Sequence, residues 1–144
     1  MIRLAEESDL VKINDLFFEL QGSLQHLRVI KMSKDKMVNR FSKTDLKNIF
    51  VAQENDLLVG FVRISELKEN EWCGMCVEVE EIFVNPKFEG KGIGQELMEL
   101  VFSIAKKKYA KVLLMMHPKN ERALDFYKKA GFETIGFEMC AKPK

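Results

Sequence analysis

Apolar residues fall at helical spacing in the first quarter of the chain, then alternate as in strands, and then take the two patterns in turn. Leu10, Ile13, Phe17, Leu20, Leu24 and Leu27 lie three to four positions apart behind Ser8 and Asp9. That spacing predicts a helix with one buried face, capped by Ser8 or Asp9. Residues 2–4 precede it as a short strand. Met37, Val38 and Phe41 repeat the helical spacing over residues 34–44 and predict a second, shorter helix. Residues 48–53 and 57–67 are β-rich runs joined by Glu54-Asn55-Asp56, the pattern of a hairpin. The next run, 77–84, changes parity: Val77 and Val79 are apolar at odd positions, Ile82 and Val84 at even ones. One face stays apolar across that change only if one residue is inserted, so a β-bulge is expected near Glu80-Glu81.

Asn85-Pro86 ends this strand as a turn signal. A glycine-rich loop follows, then a helix over 92–108 with the apolar stripe Ile93, Leu97, Leu100, Val101, Ile104 and Ala105. Lys106, Lys107 and Lys108 sit at its carboxyl end, where the helix dipole favours cations. Residues 112–116 are five consecutive apolar positions, which predicts a strand buried on both faces at the centre of the sheet. Asn120 can cap a last helix whose inward face carries Ala123, Leu124 and Tyr127, with Gly131 as its left-handed cap. Residues 132–134 and 136–140 read as closing strands. The order β-α-α-β-β-β-α-β-α-β-β predicts an α/β (α+β) fold, a mixed sheet with helices on both faces.

Composition narrows this to one domain over 1–144, because 144 residues with 47% hydrophobic content suit a single core. No repeat or low-complexity linker divides the chain. Lys and Arg total 23 against 22 Asp and Glu, so the formal charge of +1 gives no general attraction to nucleic acid or a membrane surface. Acidic residues stand at Glu6 and Glu7, where a signal peptide would be apolar, and no run nears the ~20 apolar residues of a membrane span. A cytoplasmic protein is expected. Three cysteines argue against a disulfide scaffold. Cys73 and Cys76 have C-x-x-C spacing, but no second ligand pair accompanies them, and a strand follows where a redox motif would open a helix. They read as two half-buried or buried thiols, and no metal is expected.

Gly90, Gly92 and Gly94 alternate between a strand and a helix. Such a loop lets backbone approach a ligand closely and aims several N–H groups at one anion, typically phosphate. Two nucleotide motifs fail on spacing. A dinucleotide fingerprint needs a third glycine where the chain has Gln95 or Leu97. A P-loop needs glycine at Asn85 and Ser or Thr at Gly92.

The segment Glu81-Ile82-Phe83-Val84-Asn85-Pro86-Lys87-Phe88-Glu89-Gly90-Lys91-Gly92-Ile93-Gly94-Gln95-Glu96-Leu97 resembles the acetyl-CoA-binding strand, loop and helix of the GNAT superfamily of N-acetyltransferases. Asn120, Ala123 and the run Phe126-Tyr127-Lys128-Lys129-Ala130-Gly131-Phe132 resemble its second signature. With the element order, the resemblance covers nearly the whole chain. It implies a mostly antiparallel sheet in which the bulged strand splays from a parallel neighbour, and no metal. It further implies that acetyl-CoA lies in the splay, held by Ile82, Phe83, Val84, Glu89, Gly90, Lys91, Gly92, Ile93, Gly94, Gln95, Asn120 and Tyr127. An amine then attacks the thioester directly, with Glu81 or Glu80 as base and Tyr127 as the acid that protonates the departing thiolate. The acceptor would be a small-molecule or peptide amine, and a homodimer is compatible with the reading.

Several alternatives stay open. Position 89 usually holds Gln or Arg in the family; Glu89 should repel a pyrophosphate unless it turns outward, although Lys87 and Lys91 can offset it. Glu89 therefore also supports an idle acyl-CoA-binding or protein-interaction domain. Glu80 and Glu81 read equally as solvated carboxylates, Tyr127 as a core aromatic, and Asn120 as a plain helix cap. His117 ends the buried strand on the ligand side, as a base or a structural residue. Trp72, Phe17 and Phe18 line an acceptor pocket or fill the core.

Overall fold

A computed structural model describes residues 1–28 and 32–143. Strand β1 (Ile2–Leu4) leads through a single 3-10 turn into helix α1 (Leu10–Leu24), and a four-residue helix α2 (Lys34–Met37) follows. Then come β2 (Ile49–Glu54), β3 (Leu57–Ile64), β4 (Lys68–Asn70) and β5 (Gly74–Val84). Helix α3 (Ile93–Lys107), strand β6 (Lys111–Leu114) and helix α4 (Glu121–Lys129) complete the order. The sheet runs β1-β2-β3-β5-β4, with β6 on the other edge of β5. Every pairing is antiparallel except β5 with β6.

Each face of the sheet carries its own apolar cluster. Ile13, Leu16 and Phe17 of α1 pack on Ile49, Val51 and Phe61. Ile93, Leu97, Met98, Val101 and Ala105 of α3 pack on Val62, Ile64, Val77 and Val79 on the opposite face. Val77 and Val79 share that face with Ile82 and Val84 because the register slips between them. Arg63 lies opposite Glu81 but Ile64 lies opposite Val79, so Glu80 is the inserted residue. The bulge falls where the parity change put it.

Other local expectations yield to longer-range partners. Asp9 stands at the start of α1, yet its carboxylate accepts from Arg3 (2.7 and 3.0 Å) and from the Glu6 N–H (2.8 Å). Hydrogen bonding to Arg3 holds the Asp9 carboxyl below its usual range. The helix expected over 34–44 stops at Met37, because Asn14 of α1 binds both backbone groups of Phe41. That pins Phe41 into the core between Phe17 and Phe61, outside any helix.

The carboxyl-terminal quarter departs most from the sequence pattern. Residues 132–134 and 136–140 form no strand, although Ile135, Phe137 and Met139 alternate as a strand's apolar side would. A ladder needs a partner edge, and these residues find none among the described residues. With no strand on its outer side among the described residues, β6 is an edge strand, half-buried instead of central, with Met115 exposed just beyond its end.

Candidate functional site

Strand β5 parts from β6 half-way along. The parallel ladder runs from Cys76 opposite Lys111 to Val79 opposite Leu114 and ends there, while β5 continues to Val84. Residues 80–84 therefore lack a neighbour on that side among the described residues. Asn85 donates its N–H to the Val59 carbonyl at 2.7 Å. Strand residues alternate the direction of their backbone groups, so Phe83 and Glu81 face β3 while Val84 and Ile82 turn theirs into the split. Gly60, opposite Val84, keeps β3 and β5 close at this end: an added Cβ would sit 2.7 Å from the Phe83 carbonyl oxygen.

Below the split lies the glycine loop. Asn85 caps a 3-10 turn over Pro86–Phe88 by accepting the Lys87 N–H at 2.9 Å. Gly90 and Gly92 then take φ of +79° and +81°, a region only glycine enters freely. Gly92 caps α3, and the first intrahelical bond runs from Glu96 N–H to the Gly92 carbonyl. The N–H groups from Gly90 through Gln95 have no backbone acceptor among the described residues. Six amides in a row at a helix N-terminus are a donor set of the kind that favours an anion. A Cβ added at Gly94 would meet the Phe126 ring of α4 at 3.6 Å, an ordinary contact distance.

The Glu89 carboxylate accepts from Arg122 at the start of α4, which offsets its charge. Lys91 leans on the Phe88 ring at 5.2 Å and reaches Glu54 at 3.3 Å. The repulsion expected at position 89 is thus met by an arginine that sequence spacing did not single out. Arg122 directly follows the first residue of α4, and its signal was only a lone cation near a cap.

Tyr127 packs edge-on between Phe126 and Phe132, with ring centroids 5.4 and 5.6 Å away. It belongs to the same apolar layer as Ile82, Val84, Val112 and Leu114, which border the split. Burial pushes its phenol up to about 12. No hydrogen-bond partner holds its hydroxyl among the described residues. Asn120 accepts the Ala123 N–H at 3.4 Å, which is helix capping. His117 is exposed, and its Nδ1 accepts the Lys119 N–H at 3.1 Å, a turn contact.

Glu80 and Glu81 do not stand free. Arg63 on β3 donates to both Glu81 oxygens at 2.5 and 2.9 Å and pairs with Glu80 as well. The mutual repulsion expected of two adjacent carboxylates is offset by this cation. Arg63 was passed over in the sequence, where its signal was a lone charge inside the apolar run of β3. Phe17 is core, Trp72 is 80% exposed at the β4–β5 turn, and Phe18 lines a groove of about 480 Å³ with Asn14, Asp15 and Phe41. Cys73 is half-buried and Cys76 buried, where desolvation raises its thiol pKa.

The family model described as acetyltransferase (GNAT) family matches residues 12–132. The chain belongs to that family. As a member of the GNAT family it is an N-acetyltransferase by class. An uncharacterised N-acetyltransferase of Methanocaldococcus jannaschii is 37% identical over 97 residues, which cover 63% of this chain and 41% of that protein. The chain thus spans less than half the length of that relative. Thialysine N-epsilon-acetyltransferase of Bos taurus is 28% identical over 145 residues, covering 94% of this GNAT chain and 85% of its own. A solved structure of AAC(6')-Iy with a CoA bisubstrate analogue superposes with a TM-score of 0.77 at 19% identity, covering 100% and 97% of the two chains. That likeness shows a common fold. Among the described residues no helix is long and apolar enough to cross a membrane, and no cluster of potential metal ligands occurs.

Proposed function

We propose that residues 1–144 form a single domain that transfers the acetyl group of acetyl-CoA directly to a primary amine. The observation that carries this reading is the split beyond Val79 and Leu114 beside the row of free amides from Gly90 to Gln95. The pyrophosphate fits the amide row, with Lys91, Ile93 and Gln95 supplying backbone and Arg122 offsetting the Glu89 charge. The pantetheine arm fits the split as an added strand, pairing with Ile82 and Val84 on either side of Phe83. An N–H of that pair also polarises the thioester carbonyl. Asn120 and the Tyr127 ring close the far side.

In the transfer, the amine nitrogen bonds to the thioester carbon and the C–S bond breaks. The proton lost from the amine passes to Glu80 or Glu81, and the sulfur takes a proton from the Tyr127 hydroxyl. The acceptor is a small-molecule or peptide amine. Its proposed entry is the groove beside α1, which shares Phe41 with Arg63 and carries Asp15. A formal charge of +1 supports neither a nucleic-acid nor a membrane partner, and three free cysteines suit a cytoplasmic location.

Calorimetric titration with acetyl-CoA and with CoA tests the reading, and micromolar binding of both is expected. A folded sample that binds neither would leave an idle interaction domain.

The open edge of β6 supports a homodimer in which residues 133–140 of a second copy add a strand there. Ile135, Phe137 and Met139 are 51%, 84% and 94% exposed. An antiparallel register that puts Phe137 opposite Val112 and Ile135 opposite Leu114 also puts Glu138 opposite Lys111, so apolar and charged pairs agree. Light scattering is expected to give a dimer mass, falling to a monomer in Phe137→Asp. A monomeric wild-type protein at high micromolar concentration removes the dimer.

A further inference from the structure

Glu80 and Glu81 are neighbours on β5, and neighbouring side chains of a regular strand point to opposite faces. One cation on β3 could not reach both. Here the bulge brings Glu80 round to the Glu81 face, and a single guanidinium meets the pair. Nε and Nη2 of Arg63 hydrogen-bond both Glu81 oxygens, while Nη1 forms an ion pair with Glu80 at Oε2. The Phe41 ring lies 5.3 Å from the guanidinium carbon and helps fix it. The side chains of Arg63 and Glu81 are 17% and 13% exposed, against 30% for Glu80.

We propose that Arg63 is a positioning residue that divides the two carboxylates: Glu81 is its bound counter-ion, Glu80 is the proton acceptor, and their residual single negative charge favours a cationic amine. This deepens the acetyltransferase reading and rests on it. Among the described residues Glu80 pairs with Arg63 without a hydrogen bond to it, and Glu80 is the more exposed of the two carboxylates, so a substrate ammonium can lose its proton there. Glu81 could accept a proton only by breaking two charge-assisted bonds.

The other charges around this cluster are few. Asp45 acts on Arg63 from the segment before β2. Lys68 on β4 pairs with Glu78 and also feels Glu80. The Arg40 guanidinium also lies over the Phe41 ring, at 5.5 Å from its centroid. The cations beside Glu80 are Arg63 and Lys68, and its acidic neighbours are Glu78 and Glu81. Removing Arg63 takes away the cation that the two carboxylates share, whereas removing the Glu81 charge leaves Arg63 to Glu80.

Carboxyl NMR titration of glutamate-labelled protein, assigned with Glu80→Gln and Glu81→Gln, reads this without any acceptor. The Glu80 signal is expected to respond to pH in opposite senses in Arg63→Met and Glu81→Gln, later in the first and earlier in the second, and Arg63→Lys to depart less from wild type than Arg63→Met. With acetyl-CoA and thialysine, the acid limb of kcat/KM follows the same two opposite directions and disappears in Glu80→Gln. An unmoved Glu80 in both Arg63 variants, or an acid limb that survives Glu80→Gln and vanishes in Glu81→Gln, overturns the division. If Arg63→Met fails to fold, Arg63→Lys and Glu81→Gln still decide it. Wild-type protein that binds no CoA while Glu80 shifts as stated would sink the acetyltransferase reading and leave the electrostatic one standing.

Discussion

Tyr127→Phe is expected to lower turnover about a hundredfold or more while leaving acetyl-CoA affinity and thermal stability close to wild type. The ring makes all of the packing contacts, with Phe126, Phe132 and the apolar layer beside the split, and phenylalanine keeps them. The hydroxyl has no partner among the described residues, so its removal strands no buried group. What is lost, on the proposed mechanism, is a proton donor. Burial raises the phenol to about 12, so it stays protonated throughout the working range. A thiolate expelled into the same apolar surroundings also becomes more basic, which keeps the transfer feasible although a free thiol titrates lower. The pH dependence follows with a definite sign. The neutral phenol is favoured in the folded state, so its contribution to stability is complete below the unfolded value of about 10. It is lost as pH rises from there through about 12. No basic limb of the rate below about pH 11 should therefore belong to Tyr127. Steady-state kinetics with calorimetry on the same variant decides the matter. Unchanged turnover would make Tyr127 a core aromatic and assign thiolate protonation to water.

Local patterns predicted what local chemistry controls. The parity change between Val79 and Ile82 located the bulge at Glu80, because side-chain period two leaves no other way to keep one face apolar. Alternating glycines located the amide row, and Gly131 does take the left-handed φ of +101°. Partnerships between distant residues stayed hidden. Arg63 meets Glu81 across 18 positions, and Arg122 meets Glu89 across 33, so neither pair has a spacing to read. The same limit explains the errors of fold. Five apolar residues in 112–116 fit a central strand, but centrality depends on what lies beside β6, and 132–140 bring it no ladder. Phe41 has the spacing of a helix, yet Asn14, 27 positions earlier, takes its backbone groups. At the site, the signatures located the glycine loop, while the cations that pair with the carboxylates required the folded sheet.

Gly92→Val is expected to weaken CoA binding at least about a hundredfold, equivalent to about 2.7 kcal/mol. Two separate effects act at this residue. Its φ of +81° lies in the left-handed region, where a β-branched side chain is strained by roughly 1–2 kcal/mol. Relief of that strain would rotate the amides around position 92 out of the shared row. The second effect is steric. A Cβ built on Gly92 meets no protein atom within 4 Å, so the side chain costs the fold no clash and occupies instead the open space through which a phosphate approaches the backbone. Gly92→Ala separates the two contributions: it carries much of the strain and little of the bulk, and should bind CoA with intermediate affinity. Thermal melting of both variants provides the control, since the strain is confined to a loop and both should remain folded. Affinity within a few-fold of wild type in folded Gly92→Val would mean that the row from Gly90 to Gln95 does not hold the pyrophosphate. The split between β5 and β6 would then have to bind CoA by its pantetheine arm alone, which the backbone groups of Ile82 and Val84 are too few to support at micromolar strength.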